Sequence, residues 1–355
     1  MESEDPLRQQ ARGAGFGLAA AALFGLSAPL AKLLLERVQP VLLAGLLYLG
    51  AAAGLWLHRA LVPQTSEAGL RRSDMPKLAT VVLAGGVAGP VLMLFGLRRV
   101  SGLAGSLLLN LEAPFTMLLA VLVFGEHLGR QGAIAAALIV LGAGLLKLQP
   151  GPFGADTLGI ALLAAACACW ALDNNLTQRL SLRDPFAIVR MKTLGAGVAN
   201  TVLGLWIAGA LPTSGYLATA LVLGSASYGL SVVLDTYALR SIGAAREAAY
   251  FATAPFVGAL ASLILLGDPL RWHAVVAMLS MALGVVFLLR ERHSHSHAHE
   301  ALEHEHLHTH DEHHAHAHGP GDPQGEPHSH THRHAPLVHD HPHTPDVHHR
   351  HRHQR

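Results

Sequence analysis

Long apolar stretches separated by short polar breaks run from about residue 13 to residue 290. A transmembrane helix needs about 20 mainly apolar residues, because every backbone polar group must be satisfied inside the lipid. Ten stretches meet this requirement: residues 13–36, 40–58, 77–97, 101–124, 130–148, 156–178, 185–209, 216–239, 243–266 and 271–290. The pattern therefore predicts an all-α integral membrane protein with ten transmembrane helices.

The positive charges that flank these helices predict their orientation. If the amino terminus is cytoplasmic, the cytoplasmic loops and flanks carry twelve Lys and Arg residues, and the opposite loops carry five. Short cytoplasmic loops are enriched in Lys and Arg. We therefore expect both termini in the cytoplasm, since ten crossings return the chain to its starting side. The expected location is the inner membrane of a bacterial-type cell.

A repeated pattern divides the membrane part into two units. Ala113-Pro114-Phe115 and an apolar run to Gly125-Glu126 recur as Ala254-Pro255-Phe256 and a run to Gly267-Asp268, with the two prolines 141 positions apart. Because each unit has five predicted helices, the second enters the membrane inverted, which suits alternating access to a site near the midplane. A duplication with a purely structural role is the alternative.

Four regions follow from this division. The predicted regions are a short cytoplasmic amino terminus (1–12), a first five-helix repeat (13–148), a second five-helix repeat (156–290) and a histidine-rich tail (291–355).

Composition supports the membrane class and excludes others. Of 355 residues, 51% are hydrophobic and 14% are charged, which is too apolar for one soluble domain. Cys167 and Cys169 offer neither a disulfide framework nor a four-cysteine zinc site, so we expect packing residues. The sequence has no nucleophile–base pair, P-loop or phosphate-binding motif, so we expect neither an enzyme nor a required cofactor. The expected partners are the lipid bilayer, a small-molecule substrate and divalent metal ions, without nucleic acid.

These features resemble the EamA-type members of the drug/metabolite transporter superfamily. The resemblance rests on the ten-helix layout, on the Ala-Pro-Phe run that ends in Gly-Glu or Gly-Asp, and on Phe24-Gly25 and Trp170-Ala171 near the start of each half. It covers residues 13–290 and leaves out the tail. It implies a secondary transporter without an ATP site, commonly an exporter of amino acids, metabolites or drugs. Asp268, where the first half has Glu126, departs from an identical repeat.

Ionisable and amide side chains within the predicted helices are the candidates for binding or coupling. Charged groups are costly in lipid and therefore mark functional positions. Glu112 lies in mid-helix close to Pro114, which withholds one backbone hydrogen bond and leaves a carbonyl free to face a cavity. The full set of candidates for substrate binding or coupling is Glu112, Asn110, Pro114, Asp173, Asn174, Trp170, Arg190, Lys192 and Pro255.

Two groups of charges allow alternative interpretations. Asp173 in the sixth helix is expected at the depth of Arg190 and Lys192 in the seventh, either as a structural ion pair or as a substrate or proton site. Asp235 and Arg246-Glu247 are expected to form interfacial ion pairs.

Glycines spaced four residues apart predict close helix contacts. Gly13-x3-Gly17, Gly50-x3-Gly54 and Gly85-x3-Gly89 each place two glycines on one helical face, which allows close approach within the chain or in a homodimer.

The tail carries 23 of the 26 histidines, and it is itself duplicated. A shift of 35 residues brings residues 293–318 onto residues 328–353, with eleven of twelve histidines matched. The near absence of large apolar residues predicts a disordered tail. Clustered imidazoles suit Zn, Ni, Co or Cu. The predicted metal ligands are His293, His295, His297, His299, His304, His306, His308, His310, His313, His314, His316, His318, His328, His330, His332 and His334.

Three functions follow from these observations. The first is an exporter of small organic solutes, driven by protons through Glu112 or Asp173, with the tail as a metal sensor or buffer. The second is a divalent-metal exporter whose tail collects cargo, although His58, His127 and His273 lie only at helix ends. The third is a membrane-tethered metal-binding protein that does not transport.

Overall fold

The computed structural model describes residues 6–62, 69–124, 129–148, 156–178, 180, 183–290, 293–299, 302–308, 328–334 and 337–343. Up to residue 290 its regular elements are all helical. The α-helices are α1 (Pro6–Gly25), α2 (Ser27–Leu34), α3 (Pro40–Leu61), α4 (Met75–Val81), α5 (Gly89–Leu97), α6 (Gly102–Leu108), α7 (Glu112–Phe124), α8 (Arg130–Lys147), α9 (Thr157–Gln178), α10 (Pro185–Ala208), α11 (Ser214–Gly224), α12 (Ser231–Ile242), α13 (Ala244–Phe251), α14 (Ala254–Leu265) and α15 (Trp272–Arg290).

Within the described residues, nine helical spans are long and apolar enough to cross a membrane. They are Gln10–Leu34, Pro40–Leu61, Arg72–Leu97, Gly102–Val123, Arg130–Lys147, Thr157–Gln178, Ser214–Ile242, Arg246–Leu265 and Trp272–Arg290. The class of all-helical membrane protein is thus confirmed. The remaining long helix, α10, has 24 residues and lies beside α3 but is not among the nine. The count of ten crossings therefore stays a prediction.

Two predicted helices are broken in the structure. A short 3-10 turn, Leu109–Leu111, separates α6 from α7, and α13 ends at Phe251, three residues before α14 begins. Each stretch still forms one candidate membrane span, Gly102–Val123 and Arg246–Leu265. Each new helix begins within two residues of its proline, at Glu112 and at Ala254. Proline fits the first turn of a helix, where its missing N–H costs no hydrogen bond, so it favours a new start there.

Two other spans each contain a π-helical segment. The first π segment, Val82–Ala88, joins α4 to α5, and the second π segment, Ser225–Leu230, joins α11 to α12. The first packs against α9 and α10, and the second packs against α1 and α3. Each π segment thus contacts the first two spans of the other half of the chain.

Glycines let α3 lie close to its neighbours. A side-chain carbon added to Gly45 would meet Thr201 of α10, and one added to Gly50 would meet the backbone of Leu221 in α11. Gly54 faces Ser225 in the same way. The predicted close approach is therefore used within the chain.

The described residues of the tail form four short strands. Strand β1 (His293–His299) pairs antiparallel with β4 (Leu337–His343), and β2 (Leu302–His308) pairs with β3 (His328–His334). The two copies of the duplication thus pair crosswise with each other. In the strands of both copies, histidine recurs at alternate positions. An antiparallel register that sets one His opposite another therefore does so at alternate pairs along the strands.

We predict opposite effects of alanine at two helical glycines. Gly50→Ala should lower the free energy of unfolding by about 1–3 kcal/mol, because the new methyl group meets the Leu221 backbone. Gly144→Ala in α8, where nothing lies within 4 Å, should raise it by about 0.5–1 kcal/mol through helix propensity. Unfolding in detergent, followed by circular dichroism, measures both; equal effects would contradict the packing described above.

Candidate functional site

A polar cluster lies where the start of α7 meets α9, α10 and the first π segment. Asn174 Nδ2 donates to Glu112 Oε1 at 2.6 Å. Lys192 Nζ, from α10, forms an ion pair with Asp173 Oδ2. The structure thus brings together four of the residues singled out in the sequence, from three different spans.

Asp173 is the most buried charge of this cluster. Its side chain is 4% exposed, and Thr177 Oγ1 donates to its second carboxylate oxygen at 3.1 Å. A buried charge is tolerated only when it is paired and hydrogen-bonded. Lys192 and Thr177 together provide a partner for each oxygen of the Asp173 carboxylate.

The first π segment contributes backbone carbonyls to the same region. Trp170 Nε1 and the Tyr48 hydroxyl both donate to the Gly85 carbonyl at 3.0 Å, and Asn200 Nδ2 donates to the Gly86 carbonyl at 3.1 Å. A π turn alters the regular carbonyl pattern of a helix. Position 85 requires glycine, because a larger residue would occupy the space of the Asp173 carboxylate.

Aromatic rings line the region between the two π segments. The Tyr48 ring stacks on the Tyr228 ring, with 5.9 Å between the ring centroids. Phe24 and Tyr228 pack edge to face, with 5.7 Å between their centroids. Phe24 therefore lies against the second π segment, and Trp170 lies against the first. Tyr48 contacts both sides and links the aromatic surface to the charged cluster.

Arg190 lies outside this cluster. Its Nη2 donates to Asp184 Oδ2 at 3.1 Å, and Asp184 Oδ1 accepts from the backbone N–H of Phe186 at the start of α10. Two residues along a helix correspond to about 200°, so Arg190 and Lys192 leave α10 in different directions. Of the two expected partners for Asp173, only Lys192 reaches it.

The other predicted residues of the central spans have local roles. Asn110 Nδ2 donates to the Leu107 carbonyl at 3.0 Å and lies against Met281 Sδ. Pro114 and Pro255 lie in the first turns of α7 and α14. Pro114 positions the break beside Glu112, whereas Pro255 lies at the start of α14, which packs against α6 and α1.

Asp235 and Glu247 also differ from expectation. The sequence predicted interfacial ion pairs, whereas the structure places the Asp235 and Glu247 carboxyl groups next to each other.

Among the side chains that the structure describes, no three His, Cys, Asp or Glu residues form a group that could hold a metal ion. In the tail, six backbone positions place His opposite His. The register pairs are His293 with His343, His295 with His341, His297 with His339, His304 with His332, His306 with His330 and His308 with His328. The predicted ligands His310, His313, His314, His316 and His318 lie outside the described residues.

The EamA-like transporter family model matches residues 11–148 and again residues 157–290. The chain belongs to the EamA-like transporter family. It is 31% identical over 290 residues to an uncharacterised transporter of Methanothermobacter thermautotrophicus, covering 76% of this chain and 84% of that protein. An uncharacterised protein of Pseudomonas aeruginosa is 32% identical over 189 residues, covering 53% and 65% of the two chains. A crystal structure covering 78% of this chain and 96% of its own shares the fold, with a TM-score of 0.56 and 16% identity.

This EamA-like chain also has central residues that the sequence did not single out as candidates. Tyr48 and Tyr228 are two of five tyrosines, and an aromatic hydroxyl inside an apolar span is the sequence signal that marks them. Gly85 was recognised only as a close-packing glycine. Its carbonyl contacts depend on the π segment, which no sequence period reveals.

The buried ion pair of this EamA-like chain makes a stability prediction. Asp173→Asn should lower the free energy of unfolding by about 3 kcal/mol, because Lys192 loses its partner in a low-dielectric site. The double variant Asp173→Asn/Lys192→Gln should recover most of that loss. Thermal unfolding in detergent measures both effects.

Asp156→Asn is the matched control, because Asp156 and its partner Arg99 are 41% and 47% exposed. It should leave thermal unfolding unchanged. Additive losses in the Asp173/Lys192 double variant would contradict the assigned pairing.

Proposed function

We propose that this protein is a secondary exporter of small organic solutes, with its binding and coupling site at Glu112, Asn174, Asp173 and Lys192. The observation that carries this proposal is the cluster itself, formed at a break in a membrane-spanning helix. Broken helices at the midplane of inverted-repeat transporters commonly form substrate and ion sites. The proposed location is a bacterial-type inner membrane, crossed ten times, with both termini in the cytoplasm.

The chemistry of the cluster suits a polar organic solute. Glu112 is hydrogen-bonded by the neutral amide of Asn174, which a solute amine or a proton can replace. Lys192 and Asp173 supply opposite charges a short distance away. The rings of Tyr48 and Trp170 add apolar surface with polar edges, which bury an organic group at little cost.

Protons are the proposed driving ion. A carboxyl group in a partly dry site can take up a proton or release it as a solute binds or leaves. Glu112 fits this role better than Asp173, because Lys192 and Thr177 already occupy both Asp173 oxygens.

The tail is proposed to bind divalent transition metals as a cytoplasmic sensor or buffer. Neutral imidazoles suit Zn, Ni, Co and Cu. The crosswise pairing of the tail copies supports this proposal, because its backbone register sets His opposite His at six positions. Four histidines from two neighbouring register pairs are the proposed ligands of one ion.

A Glu112→Gln variant tests the transport proposal. In proteoliposomes, the wild-type protein should carry solutes from a panel of amino acids, and a proton gradient should accelerate that flux. Glu112→Gln should lose most of the acceleration by the proton gradient, by about a factor of 100 or more. Asp156→Asn should transport like the wild type. Full proton-driven flux in Glu112→Gln would remove Glu112 from the coupling step.

The same assay separates the alternative functions. A chain without residues 293–355 should keep its organic-solute flux and lose only modulation by zinc. Zinc flux through the truncated chain would instead support a metal exporter. Metal binding with no flux of either kind would support a tethered metal-binding protein.

Moving the tail histidines by one position tests the proposed metal sites. In the full-length protein, each histidine of β4 is exchanged with the residue before it. The exchange keeps the composition and the alternation of the strand, but it places His opposite non-histidine positions of β1. Zinc affinity, measured by competition with a chelator, should fall by about tenfold or more.

Shifting β1 by one position as well restores the match, so zinc affinity should recover. Equal affinity in all three proteins would show that histidines within one strand suffice, and no zinc binding in the wild type would remove the tail proposal.

A further inference from the structure

The turn between α5 and α6 is held by two charged side chains from distant parts of the chain. Lys32 Nζ, from α2, donates to the carbonyls of Leu97 and Val100 at 2.6 Å each. Asp268 Oδ2 accepts a hydrogen bond from the backbone N–H of Leu103 at 2.8 Å. Asp268 is buried, with 8% of its surface exposed. One side chain belongs to the first half of the sequence and the other belongs to the second.

Both charges match the helix ends that they contact. The last carbonyls of a helix and its first N–H groups lack partners within the helix. A cation favours the carboxyl end of a helix and an anion favours its amino end. Lys32 supplies the cation at the end of α5, and Asp268 supplies the anion at the start of α6. Lys32 also lies within electrostatic range of Asp268.

The Gly-Asp ending of the second repeat is explained by this contact. Gly267 has φ of 65°, a left-handed conformation that glycine adopts without strain. It ends the run after α14 and turns Asp268 toward α6. Gly102 leaves room for the approach, because an added Cβ would lie 2.8 Å from Ser262 Oγ and 3.2 Å from Asp268 Oδ2.

The region below this contact is tightly packed. All residues of α6 are buried, whereas residues 112–123 of α7 are partly or largely exposed. A Cβ added to Gly258 of α14 would lie 2.6 Å from the Gly25 carbonyl and 2.8 Å from Ser106 Oγ. The two halves of the chain therefore close against each other between the Asp268 contact and Glu112.

We propose that Lys32 and Asp268 form a latch that closes the bundle on this face and must release before the Glu112 site opens there. Both are positioning residues, because they act on the α5–α6 turn. This inference rests on the proposed alternating-access transport. The hydrogen bond between Leu103 and Asp268 is present only while α14 lies against α6. A variant that lacks the Asp268 carboxylate therefore destabilises the closed state and not the open one.

Thiol labelling tests the latch without any transported solute. Ser106→Cys, in a background with Cys167→Ala and Cys169→Ala, places a reporter at a position that is 1% exposed. A membrane-impermeant maleimide is added to one side of sealed vesicles. A separate Asp156→Cys variant identifies the face that carries the latch, because Asp156 is exposed there.

Asp268→Ala should increase the labelling rate of the Ser106 reporter from that face by about tenfold or more, as expected for loss of a buried charge-assisted hydrogen bond. Asp268→Asn and Lys32→Gln should give smaller increases. Asp268→Glu should stay closest to the parent, because it keeps the carboxylate. Asp156→Asn, which removes only an exposed ion pair on the same face, should leave the rate unchanged.

A second reporter distinguishes gating from loss of structure. Ala44→Cys lies in the core of α3 and is 0% exposed. Its labelling should stay unchanged in Asp268→Ala. A parallel increase at both reporters would overturn the proposal, and so would a Ser106 rate within about twofold of the parent. A failed flux assay would count against the transport proposal. It would not change the labelling result, because labelling needs no transported solute.

Discussion

The structure depends on one constraint: a backbone group released from a helix inside the bundle must find another partner, because lipid offers none. The Gly85 carbonyl accepts hydrogen bonds from Tyr48 and Trp170, and the Gly86 carbonyl accepts one from Asn200. At the break before α7, the Cys167 thiol lies 3.7 Å from the carbonyls of Leu108 and Leu109. Irregular backbone and polar side chains therefore occur together, at the depth where the proposed site lies.

The same constraint links packing to charge. Asp173 occupies the space that a side chain at position 85 would need, so the glycine that permits the π segment also admits the carboxylate. Lys192 then balances the charge of Asp173 from α10. A change at any one of these three positions disturbs the other two, because their contacts share one small volume. The candidate site and the fold are thus stabilised by the same interactions.

The amino-acid pattern predicts the membrane class, the family and the pairing of Asp173 with a cation of α10, because apolar length and charge in lipid leave few alternatives. It does not predict which cation pairs. Arg190 and Lys192 are equivalent by composition and depth, and only the helical phase of α10 separates them. The breaks before α7 and α14 were also missed, since apolar periodicity continues through a single turn. In the tail, low hydrophobicity gives no signal for the crosswise strands, which depend on a match between distant copies.

The two halves of the chain use corresponding positions for different chemistry. Each π segment packs against the first two long helices of the opposite half, so the two halves contact each other in a similar way. Yet Trp170 donates to a carbonyl beside the Asp173–Lys192 pair, whereas Phe24 packs against the rings of Tyr228 and Phe251. A duplicated scaffold can thus keep two similar π segments while the aromatic residue that packs against each of them makes different contacts.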